Sequence, residues 1–159
     1  MTDRLFYRTA PLGLFRREIL QDDRYRLRED LRVGEDMQPS LRLWTDGLGI
    51  AYFPDDPGYV VNDDGGPRVT EDQSSFRHSI GAITALIDEG ELGALDPMQR
   101  DAATTKLLRV HLLRPVAERI SAGTLSEGDL LVASQAVREL RRLSPRGTEV
   151  FSAQDQRIL

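Results

Sequence analysis

The chain has 159 residues, 40% apolar and 30% charged, which suits one domain with a sizeable core and is too apolar for a disordered chain. The absence of cysteine excludes disulfides, thiol nucleophiles, cysteine-held zinc and iron–sulfur clusters, and no apolar run approaches the ~20 residues of a membrane-spanning helix. The net charge of −5 is unevenly spread: residues 33–99 carry three arginines against thirteen acids, whereas residues 100–146 carry nine bases against five acids.

Residues 4–9 read as a short strand, closed by Pro11 and Gly13. From Leu12 the spacing of Leu12, Phe15, Ile19 and Leu20 suits one helical face, continued by Leu27 and Leu31, although Asp22-Asp23 also suits a hairpin turn. Leu41, Leu43 and Thr45 alternate with Arg42 and Trp44. Asp46-Gly47 supplies a turn, and residues 48–53 return as the second strand of a hairpin. A loop at 54–58, a strand at 59–61 and a turn at 62–67 complete an antiparallel meander over residues 40–62.

After Thr70 the period changes from 2 to 3.6. Asp72, Ser74 or Ser75 caps a helix with Phe76, Ile80, Ile83 and Ile87 on one face, punctuated by Gly90 and Gly93. Asp96-Pro97 opens a second helix with a Leu108, Leu112, Val116 stripe, in which Pro115 predicts a kink or break near Arg114. Ser126 and Asp129 form a capping box for a third helix, with Leu130, Ala133, Val137 and Leu140 on one face, ending at Ser144-Pro145. The expected fold is α+β in a single domain over residues 1–146, strand-rich over 1–70 and helical over 72–144, with a tail at 147–159. Nine of the ten aromatic residues precede residue 77, in keeping with a sheet in the first half.

Chemistry-bearing motifs are few. The only histidines are His78 and His111, there is no Gly-x-Ser-x-Gly, and Gly65-Gly66-Pro67 lacks the Lys-Ser/Thr of a phosphate-binding loop. Asp55, Asp56, Asp63 and Asp64 read first as turn chemistry and only second as a divalent-cation site. Asp88, Glu89 and Glu91 with His78 or His111 make a weaker cation set. No cofactor, no metal site and no catalytic activity are expected. The basic residues are 20 arginines and Lys106, a skew attributed to coding bias.

The function expected from these features is a non-catalytic, bacterial-type protein-binding module, an inhibitor, immunity protein, chaperone or assembly subunit. Its acidic, aromatic face of Trp44, Tyr52, Asp55, Asp56, Tyr59, Asp63 and Asp64 would meet a basic protein partner, with aromatics as anchors and carboxylates steering approach. The alternatives are a nucleic-acid-associated regulator using Arg138, Arg141, Arg142 and Arg146, and a carboxylate- or metal-dependent hydrolase. Met1-Thr2-Asp3-Arg4 has no apolar segment behind it, so a soluble, cytoplasmic location without a secretory signal or membrane association is expected.

Overall fold

A single helical rod runs from residue 97 to residue 122 and organises everything else. Its first part, α6 (Pro97–Lys106), starts where Asp96 accepts hydrogen bonds from the backbone N–H groups of Met98 and Gln99, both at 2.9 Å, while Gln99 closes the capping box. The rod then widens into π-helical turns over Leu107–Leu113 and continues as α7 (Arg114–Ala122), which Gly123 ends in the left-handed region at φ 65°. The computed structural model describes residues 14–51, 75–149 and 151–158.

Around the rod stand α1 (Arg17–Gln21), a 3-10 turn (Asp23–Tyr25), α2 (Met37–Thr45), α3 (Phe76–Ser79), α4 (Gly81–Asp88) and α5 (Glu91–Ala94). They are followed by α8 (Glu127–Leu143), a second 3-10 turn (Pro145–Thr148) and α9 (Ala153–Ile158). Ile83, Leu92, Leu108, Leu112 and Leu140 are completely buried and join Phe76, Ile80 and Phe151 in one apolar cluster. Their burial supplies the main favourable free energy, about 1.5–3 kcal/mol for each large side chain. Residues 144–151 fold back on α6: Ser144 donates to Asp101 at 2.5 Å and Thr105 donates to the Gly147 carbonyl at 2.8 Å.

The α+β expectation is corrected, because no strand occurs among the described residues. The first half of the expected hairpin is helix α2, in which Met37, Ser40, Leu41 and Trp44 follow helical spacing. Pro39 is tolerated because the first-turn N–H groups of a helix have no intrahelical acceptor. Asp46-Gly47 then serves as the helix C-terminus, with Gly47 at φ 72°. A hairpin turn and a helix C-cap both need a residue that tolerates positive φ, so the same dipeptide reads either way. The strands expected at 4–9 and 59–61 and the turn at 62–67 lie outside the described residues.

Two helices are also shorter than their periodicity implies. Near Asp22 the backbone leaves the α conformation, and the Asp22 carboxylate accepts from the Arg24 N–H at 2.9 Å, the local competition by which aspartate interrupts helices. The helix expected from 72–75 onward is divided into α3 and α4 at Ile80, and Ser75 precedes it without a side-chain cap. The α8 capping box and its end at Ser144 are found as the sequence implies. Instead of a break at Arg114, the rod bears its π turns immediately before Pro115. Proline offers no N–H to the carbonyl four residues earlier, that of His111, and a widened turn relieves that conflict.

Candidate functional site

The site begins with a polar clamp that places α2 against the rest of the molecule. Gln38, buried on α2, donates to Glu89 at 2.6 Å and to Glu91 at 3.1 Å, and accepts from Arg28 at 3.1 Å. Arg28 also donates to Glu89 at 2.5 Å and forks onto Asp30 at 2.8 and 2.7 Å. Arg42, one helical turn beyond Gln38, pairs with Glu91 and donates to the Arg24 carbonyl at 2.9 Å. The arginine and glutamine hold the Glu89 carboxyl below its ordinary range, and Glu91 raises the Arg42 guanidinium.

Clamped in this way, α2 closes one wall of a small cavity of about 30 Å³ that is partly open to solvent. Met37, Leu41, Leu86, Ala103 and Leu107 make its apolar walls; Ser40, Trp44, Lys106 and His111 are the polar lining. The indole Nε1 of Trp44 and the Nε2 of His111 are buried and without a hydrogen-bond partner among the described residues. Unpaired buried polar atoms are rare in folded proteins, and each costs about 1–3 kcal/mol if left so. The third such atom among the described residues, Thr104 Oγ1, belongs to a fully buried residue that does not line the cavity; Trp44 and His111 both line it.

Charge sharpens that reading. Burial pushes the Lys106 ammonium down to about 8, opposed by the negative charge of Asp36, whose own carboxyl is raised by burial. His111 is pushed down to about 4 by burial and then by the neighbouring Lys106 charge, so its ring is neutral at pH 7. The cavity is therefore lined by one desolvated ammonium, one neutral imidazole and one indole. Apolar walls, convergent polar groups and displaced titrations are the usual marks of a binding site.

A second concavity, of about 330 Å³, lies beside Arg24, Arg42, Asp46 and Glu91. It is larger, but its charges satisfy one another: Asp46 accepts from the Tyr25 hydroxyl at 2.8 Å and pairs with Arg24 at 3.4 Å, and Arg42 pairs with Glu91.

Of the face expected from sequence, Trp44 alone is described, and it is a cavity wall with its ring half-buried. Tyr52, Asp55, Asp56, Tyr59, Asp63 and Asp64 lie outside the described residues. The arginine cluster divides: Arg142 pairs with Glu139 at 3.0 Å and Arg146 with Glu149 at 3.5 Å, while Arg138 and Arg141 are exposed on α8 with no acidic partner among the described residues. Glu89 and Glu91 are bound into the clamp and do not meet a histidine. Among the described residues no group of three or more acidic or histidine side chains could hold a metal ion, and no helix is long and apolar enough to cross a membrane.

Lys106 is the site residue that the pattern of the sequence concealed. The one available signal was that this position keeps a lysine in a chain whose other basic residues are all arginine. Lysine can lose its proton when buried and arginine cannot, so the exception makes the charge at this position titratable. No protein-family model, curated protein or solved structure matches the chain.

Proposed function

We propose that this chain is a non-catalytic protein-binding module that seats one polar group of its partner in the cavity between Trp44, Lys106 and His111. The observation that carries this reading is the pair of buried, unpartnered nitrogens, Trp44 Nε1 and His111 Nε2, beside the only lysine of the chain. A group inserted from outside would satisfy both and be gripped by apolar walls that exclude water, the arrangement in which a single anchor contributes most to an interface. The acids of residues 52–74, six against one arginine, favour a partner that is basic around the inserted group.

The test is capture from native lysate with wild-type protein beside Lys106→Met and Trp44→Phe, followed by mass spectrometry. A protein retained by the wild type and released by both variants supports the reading. Identical captures from all three would overturn it. Charge reversal at Asp55, Asp56, Asp63 and Asp64 reads the second element separately: capture that survives it removes the acidic stretch from the interface.

A further inference from the structure

We propose that the group the cavity accepts is a carboxylate, held by the Trp44 indole N–H, the Lys106 ammonium and the His111 imidazole. This deepens the binding-module reading and rests on it.

The argument is one of complementarity. An indole N–H and an ammonium are donors only, and neither can accept a hydrogen bond. His111 Nε2 has no partner among the described residues, and it donates in the tautomer that carries its proton there. A group that meets all three must therefore bring acceptor lone pairs, and more than one of them. The two oxygens of a carboxylate bring about four such sites on a planar head. Size agrees: about 30 Å³ admits only a small head group, and the open side of the cavity leaves a way out for whatever carries it. Charge agrees as well, since among the described residues the countercharge felt by Lys106 is Asp36, itself half-withdrawn from solvent. A neutral amide would place a second set of donors against donors. A water would satisfy the unpaired nitrogens without neutralising the ammonium.

The π turns are what make the three donors converge. Lys106 and His111 are five residues apart, the span of one π-helical hydrogen bond, and so stack on the same side of the rod. Trp44 faces them from α2, held there by the Gln38 and Arg42 clamp.

Trp44 is the only tryptophan, so its single indole N–H resonance and its fluorescence report on this cavity alone. Full-length protein is titrated at pH 7 and constant ionic strength with acetate, with acetamide as the neutral isostere, and with N-acetylglycine as the shortest mimic of a chain terminus. Acetate is expected to shift the indole resonance downfield in a saturable way, with a dissociation constant in the millimolar range. Acetamide should bind at least tenfold more weakly. Lys106→Met should lose at least tenfold in acetate affinity while keeping the wild-type circular dichroism spectrum, and His111→Gln, which retains a donor, should lose less. Tighter binding of N-acetylglycine than of acetate assigns the carboxylate to a partner's chain end; equal binding assigns it to a free small acid. Equal binding of acetate and acetamide overturns the carboxylate while leaving a polar-group socket in place. No saturable response to any of the three overturns the socket together with the carboxylate, and makes the cavity a hydration site.

Discussion

Lys106 and His111, five residues apart in one continuous rod, line the same cavity because the helix between them is wound in π turns. In a regular α-helix, at 3.6 residues per turn, residues five apart point about 140° away from each other. The wider turns also bring Leu107 above Leu112 and Leu108 above Leu113, and all four are buried. The winding that fills the core is therefore the winding that assembles the polar lining.

The two displaced titrations make stability depend on pH in a specific direction. Both groups have folded values below their unfolded ones, so over each interval the unfolded chain binds a proton that the folded chain refuses. Stability then rises with pH, from about 4 to 6.5 on account of His111 and from about 8 to 10.5 on account of Lys106. Nuclear magnetic resonance titration of the two side chains should place them at these values, and urea melts across both intervals should show the rise. A His111 ring that titrates near 6.5 would remove the first interval.

Replacing the desolvated cation should stabilise the molecule. Lys106→Met keeps length and apolar stem and removes a charge held below its ordinary range, so unfolding at pH 7 should cost more, by on the order of 1–3 kcal/mol. The gain should vanish by about pH 11, where the lysine is neutral in both states. Urea denaturation at pH 7 and pH 11 checks both statements. Greater stability bought with lost acetate binding is the trade expected of a site residue.

The clamp on α2 should behave as a coupled unit. Glu91→Gln and Arg42→Met should each destabilise the fold by about 1–3 kcal/mol, the range for hydrogen bonds to charged groups. Their double mutant should cost clearly less than the two costs added together, with a coupling of at least about 0.5 kcal/mol. Strict additivity would mean that the pair contributes nothing as a pair. Because the clamp holds Trp44 against the rod, both single variants should also weaken acetate binding.

Gly34 is required twice over. Its φ is 79°, and a Cβ there would lie 2.7 Å from the Ala82 Cβ on α4. Gly34→Ala should cost about 2–5 kcal/mol in thermal or urea melts, from left-handed strain of about 1–2 kcal/mol and overpacking of about 1–3 kcal/mol. Adding Ala82→Gly should recover the overpacking part. Gly47→Ala shares the positive φ (72°) but meets open space, so it should cost only the backbone part.

Local chemistry was legible wherever neighbours in sequence supply both partners. Asp96 with Pro97, Ser126 with Asp129 and the stop at Ser144-Pro145 are read directly from residues at most three apart, and the structure has them there. The helical period after residue 75 is equally local. Asp46-Gly47 marked the end of an element correctly but its kind wrongly: the hairpin turn read there is the C-terminus of α2, because positive φ serves both. The alternation of Leu41 with Leu43 competed with the helical spacing of Met37, Leu41 and Trp44, and burial against α4 and the rod decided between them. The site itself was a matter for tertiary structure alone. Its residues come from positions 36–44, 86 and 103–111, drawn together by the clamp at Glu89 and Glu91 and by a rod whose π winding departs from the period by which helices are read. A displaced titration arises from burial, and burial is a property of what packs around a residue and not of the residue itself.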